Sequence, residues 1–182
     1  MRFLSKKAST ASPEIRRRLF LGLLALPIAS ACQPTGRANG VRVGDVYPNF
    51  ELPDLQRHRR KFAEFAGGPL LVNFWATWCP PCRDEMAGLQ VLHERLQSSG
   101  GGVVAISVDD DINLVREFVL QTRVSFPVLL DAGKAFASGV LALQAYPTSF
   151  LLRSDGRVGE VVVGVRSWET SVEHQRVLAV LS

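Results

Sequence analysis

The stretch NFWATWCPPCRDE, residues 73–85, decides how the rest of the chain is read. An apolar run of strand length, LLVNF at 70–74, leads into it and reads as a strand covered on both faces. Behind it the period changes: Met86, Leu89, Leu92 and Leu96 recur at helical spacing until SSGGG at 98–102 ends the run. The order is strand, cysteine turn, helix, with Cys79 and Cys82 at the handover. Pro80 and Pro81 suit the first helical turn, where backbone N–H groups have no intrahelical partner to lose.

Several chemistries fit two cysteines at this spacing. A structural zinc needs four ligands, and the remaining candidates, His58, His93 and His174, show no second paired spacing. A permanent cross-link over so short a loop restrains the unfolded chain little, because the entropy of loop closure grows with loop length. A reactive pair has a mechanism: the free N–H groups and the dipole of a helix start favour a negative sulfur, so Cys79 would ionise below the roughly 8.5 of free cysteine. Cys79 would then exchange through a mixed disulfide, and Cys82, one turn deeper, would resolve it. A copper(I)-binding module using the same two thiolates stays open as an alternative, although Met86 is the only methionine after Met1 that could add a third soft ligand.

Upstream, RRRLFLGLLALPIASAC at 16–32 is an arginine cluster, a short apolar run and small residues, the pattern of a signal peptide over residues 1–31. The apolar part contains Pro27 and is too short to cross a hydrocarbon core of roughly 30 Å as a free helix. RRLFL at 17–21 resembles the twin-arginine export signal, and ordinary secretion fits equally. ASAC at 29–32 resembles a lipobox, with Ala29 where Leu is usual; Cys32 would then carry the lipid and anchor the chain by acyl groups. Cleavage after Ala31 by the ordinary signal peptidase is the other reading. Residues 32–40, CQPTGRANG, suit a flexible tether, and a folded domain is expected over 41–182.

Six of the 21 basic residues and one of the 17 acidic ones lie in the first 31, so the +4 of the whole chain becomes about −1 without them. The basic character belongs to the leader, and nothing in the remainder points to nucleic acid. The cluster Arg57, Arg59, Arg60 and Lys61 reads as a solvated loop.

Downstream, VVAISV at 103–108 and FPVLLD at 126–131 read as further strands. DINLVREFVLQTR reads as a helix with Leu114, Val115, Phe118 and Val119 on its apolar side, and AGKAFASGVLAL as a short helix. TSFLLR and VGEVVVG flank the turn SDGR at 154–157 and predict a hairpin. Ser167 can cap a last helix with Glu169 in its first turn and Val172, Val177, Leu178 and Leu181 on its apolar side. Before the central strand, residues 43–69 predict short strands or a hairpin. The class is α/β, a central mixed sheet flanked by helices.

The segment VNFWATWCPPCRDEM at 72–86 resembles the active-site segment of the thioredoxin superfamily, in its exported TlpA/ResA-like branch. The likeness continues, in the family's order, through GDVYPNFEL at 44–52, FPVLLD, YPTSFLLRSDG at 146–156 and Gly164. It implies a thioredoxin-like fold with an N-terminal β-hairpin extension and an inserted strand and helix. The activity it implies is thiol–disulfide exchange at Cys79 and Cys82, with no cofactor and no metal beyond that redox-active disulfide. Carried over by position, Trp78 would shield the pair, Pro147 would be the family's cis-proline, Tyr146 would face the substrate peptide, and Glu85 would handle the cysteines' protons. Asn73 departs from thioredoxin, which has a buried acid there, and this shifts weight onto Glu85. The implied partners are protein disulfides of cytochrome c or of oxidase copper sites and a transmembrane thiol donor of the DsbD/CcdA type, on the periplasmic side of a bacterial membrane. A peroxiredoxin-type motif, P-x-x-x-T-x-x-C, fails here, since Val72 and Ala76 hold its Pro and Thr positions.

Overall fold

The computed structural model describes residues 40–181. The leader, the lipidation site at Cys32 and all of the tether before Gly40 lie outside the described residues. A hairpin of β1 (Glu51–Pro53) and β2 (Arg59–Lys61) comes first. Then β3 (Leu70–Trp75), α1 (Pro80–Gln97), β4 (Gly102–Ser107), α2 (Ile112–Thr122) and β5 (Val128–Leu130) alternate. The chain ends with β6 (Thr148–Leu152), β7 (Val158–Val163) and α3 (Ser171–Leu181). The main sheet has the order β5-β4-β3-β6-β7, with β4 parallel to β3 and β5, and β6 antiparallel to β3 and β7.

Every residue of β3 and β4 is buried, as expected of strands inside a layered sheet. Alternation along β3 separates two environments. Val72 and Phe74 face an aromatic layer in which Phe74 meets Phe136 and Phe150, and Tyr47 reaches Phe150 and Phe62, at centroid distances of 5.3 to 6.1 Å. Asn73 and Trp75 point the other way, Asn73 to Glu85 of α1 and Trp75 to Phe118 of α2. Met86, Leu89, Leu92 and Leu96 seal α1 against the sheet and are fully buried. The β6–β7 turn works as its residues predict: Gly156 takes φ 79°, and Asp155 Oδ1 accepts from the Arg157 N–H at 2.9 Å.

Three local expectations change. The last helix starts at Ser171, and its cap is Thr170, whose Oγ1 accepts from the Glu173 N–H at 3.2 Å; the Ser167 carbonyl instead accepts from Thr170. Leu114, Val172 and Leu178 are exposed, because periodicity marks a direction around a helix and not how far the neighbouring layer extends. The stretch 132–140 is a 3₁₀ turn followed by a π-helical turn, with Gly133 and Lys134 both at positive φ. Asp131 holds that start, its two carboxylate oxygens accepting the N–H groups of Phe136 and Ala137 at 3.1 and 2.7 Å.

His93, on the buried side of α1, is committed to the fold. Its Nδ1 accepts the Val103 N–H at 3.0 Å, where β4 begins, and its ring meets Phe126 edge-on. Burial disfavours the imidazolium and lowers its pKa. The unfolded chain therefore takes up the proton first. The contribution of His93 to stability is complete above about pH 6.5 and is lost as the pH falls below it. Urea midpoints measured between about pH 7 and about pH 5 should fall more steeply in the wild type than in His93→Gln.

Candidate functional site

The parallel pairing of β3 and β4 brings their C-terminal ends side by side, with Trp75 opposite Ser107 and the Val108 N–H donating to the Trp75 carbonyl at 2.9 Å. Asp109, just past β4, is buried and gathers the next turn. Its Oδ2 accepts from the Thr77 N–H at 2.9 Å and from Ser107 Oγ at 2.7 Å, while Thr77 Oγ1 donates to Oδ1 at 2.6 Å. Thr77 lies two residues before Cys79, so this carboxylate fixes the backbone that presents the cysteines.

Cys79 is the N-cap of α1, with extended backbone, and the prolines occupy the first helical positions. Its Sγ accepts the Cys82 N–H at 3.3 Å, one of the free donors at a helix start. Cys79 and Cys82 are joined as a disulfide. Cys82 is fully buried and Cys79 retains 6% exposure, so the two sulfurs differ in access as an attacking and a resolving cysteine must. The Tyr146–Pro147 peptide is cis, and the Tyr146 carbonyl oxygen stands 3.7 Å from Cys79 Sγ. The Pro147 carbonyl accepts the Gly164 N–H at 2.8 Å, tying this loop to the end of β7.

Trp78 is 57% exposed, its ring edge-on to Tyr146 at 6.1 Å and covered on one face by the Lys134 ammonium at 5.6 Å. It stands as an exposed aromatic beside the sulfurs, in contact with Tyr146. The turn after β3 and the loop before β6, far apart in sequence, therefore bring Trp78, Cys79, Tyr146 and Pro147 together at one end of the sheet.

Glu85, one turn beyond Cys82, is 3% exposed. Its Oε1 accepts from Asn73 Nδ2 at 2.7 Å; its Oε2 accepts from Trp168 Nε1 at 3.0 Å and from the Arg166 N–H at 3.4 Å. The same Asn73 amide donates to Ser149 Oγ at 3.0 Å. Burial raises the Glu85 pKa against the pull of these donors. A carboxyl raised in the fold favours the folded state at low pH, and that benefit is lost as pH rises through its folded value.

Asp109, Ser149 and Trp168 were not anticipated as parts of the site. The register of two parallel strands was a signal for Asp109, since it puts the residues after Trp75 and Ser107 side by side. Trp168 had no local signal, for it enters from a loop 83 residues away in sequence. Among the described residues no group of three or more His, Cys, Asp or Glu side chains is gathered as a metal cluster.

The AhpC/TSA family is matched over residues 43–161. The thiol-disulfide oxidoreductase ResA of Bacillus thuringiensis (strain Al Hakam) is 33% identical over 129 residues, spanning 71% of this chain and 74% of that one. ResA of Bacillus subtilis (strain 168) is 31% identical over 161 residues, 82% of this chain and 87% of its own. Among solved structures, a chain described as a thiol:disulfide interchange protein of the DsbE type from Chlorobium tepidum has a TM-score of 0.70 at 29% identity, covering 78% of this chain and 99% of that one. Thioredoxin-like fold, oxidised cysteine pair and relatives agree: the chain belongs to the AhpC/TSA family, as a thiol-disulfide oxidoreductase of the ResA-like kind.

Proposed function

We propose that this protein works outside the cytoplasm as a reductant of protein disulfides. The observation that carries the reading is the pairing of unequal sulfurs: Cys79 at the start of α1, receiving a helix N–H, and Cys82 wholly buried behind it. In the reduced protein the Cys79 thiolate attacks one sulfur of a client disulfide, and the client's other sulfur leaves with the electron pair and takes a proton. Cys82 then gives its proton to Glu85 and attacks Cys79 Sγ, so the second client thiolate departs and the Cys79–Cys82 bond closes. Two electrons pass to the client, and no bound cofactor or metal is needed. Trp78, Tyr146 and Pro147 form the surface beside the cysteines on which the client segment is received.

The resemblance supports clients whose cysteines must be reduced before they take haem or copper, and re-reduction by a transmembrane thiol carrier of the DsbD/CcdA type. Residues 1–31 serve as the export signal, Cys32 carries a lipid, residues 32–40 are the tether and 41–182 the working domain. No helix among the described residues is long and apolar enough to cross a membrane, and the lipid supplies the anchor. The direction of electron flow is tested by the reduction potential of the Cys79–Cys82 couple. A value near the thioredoxin end, about −270 mV, is expected, and one near a strong oxidant, about −120 mV, would overturn it.

A further inference from the structure

The loop between β7 and α3 delivers an indole to the carboxylate of Glu85. Trp168 is fully buried, and its Nε1–H reaches Glu85 Oε2 at 3.0 Å while Asn73 holds the other oxygen from β3. The loop lies against α1 at Gly88, one turn along the helix from Glu85. A Cβ at that position would stand 3.4 Å from both Trp168 Cβ and the Glu169 nitrogen, and 2.6 Å from Glu169 Oε2. The loop is held on its far side by the Thr170 N–H donating to the Ser167 carbonyl at 3.2 Å.

We propose that Trp168 is a positioning residue for the exchange reaction, its indole N–H locking one oxygen of Glu85 so that the carboxylate keeps a single orientation, ready to receive the Cys82 proton. This rests on the reading of Glu85 as the proton acceptor for Cys82. An indole suits the task because it donates and cannot accept. It stabilises the anion by a charge-assisted hydrogen bond without itself competing for the proton. In the resolving step the Cys82 S–H proton moves to the locked carboxylate, the Cys82 sulfur bonds to Cys79 Sγ, and the client sulfur leaves with the electrons of the broken bond.

The surroundings leave few competitors. Asn73 on β3 and Ser149 on β6 are neutral, the side chains of Arg166 and Glu169 are exposed, and Cys82 is the titratable group on α1 one turn away. Of the donors that oppose the effect of burial on Glu85, Trp168 has the largest influence. Without its N–H the carboxyl keeps its proton to higher pH, and the resolving step, which needs the empty base, follows.

Two replacements test this in the full-length protein: Trp168→Phe, and substitution of Trp168 by 3-benzothienylalanine, which keeps the bicyclic ring and exchanges N–H for sulfur. The Glu85 carboxyl is titrated directly by its carbon-13 shift in the reduced state, and the pH profile of mixed-disulfide resolution is recorded beside it. In both variants the Glu85 midpoint and the profile should move together to higher pH. In a Glu85→Gln background, Trp168→Phe should leave the profile where Glu85→Gln alone puts it. A Glu85 midpoint unmoved by the benzothienyl replacement overturns the role of Trp168. A Glu85→Gln profile identical to the wild type overturns instead the proton-handling role of Glu85, and the proposal with it.

Discussion

Replacing Cys82 by Ser should leave a protein that begins the reaction and cannot finish it. Cys79 keeps its place at the head of α1 and still forms the mixed disulfide, but the buried sulfur that would displace the client is gone. The resolving attack owes its speed to intramolecularity, for which effective concentrations far exceed those of any free thiol, so multiple-turnover disulfide reduction should drop by at least about 10³-fold. The same variant should accumulate client proteins bound through Cys79, visible as adducts that vanish when a reductant is added and are absent from a Cys79→Ser, Cys82→Ser double variant. Adducts persisting in the double variant would mean that the client is not held at Cys79. Identifying the trapped proteins also names the client class.

Phe150→Ala should destabilise the fold strongly. Phe150 is buried on β6, lies opposite Val72 of β3 in register, and meets Tyr47 at 5.3 Å and Phe74 at 6.0 Å, so it joins the sheet to the aromatic layer above it. Emptying that position removes a large apolar surface and leaves a cavity between elements that the sheet fixes in place, a loss of about 3–5 kcal/mol. Against a total of about 5–15 kcal/mol this is a large share. The urea midpoint should fall with the slope unchanged, and a loss below about 1.5 kcal/mol would show that the aromatic layer closes around the gap.

What could be read from the residues was whatever is set by local chemistry. The continuous apolar run before Cys79, the helical period of Met86, Leu89, Leu92 and Leu96, and the Asp155–Gly156 turn each specify one local structure, and each is found as read. The cysteine spacing carried the site because strand, turn and helix are contiguous there. Tyr146 and Pro147 came from resemblance; their approach to Cys79 follows from β6 pairing antiparallel to β3, a pairing that no nearby residue announces. Trp168 and Ser149 were beyond reach for the same reason: a hydrogen bond between distant segments has no sequence period. The exposed Leu114 and Val172 mark the opposite limit, where an apolar residue keeps the helical spacing yet has no layer to cover it.

Exchange at this site requires that the helix start hold Cys79 as a thiolate while Cys82 stays protonated and enclosed. Alkylation of the reduced protein by iodoacetamide, followed against pH with each cysteine quantified separately, measures this directly. Cys79 should react with an inflection well below the roughly 8.5 of free cysteine, and Cys82 should remain unmodified while the protein is folded. An inflection for Cys79 at or above the free value, or equal reactivity of the two thiols, would contradict it.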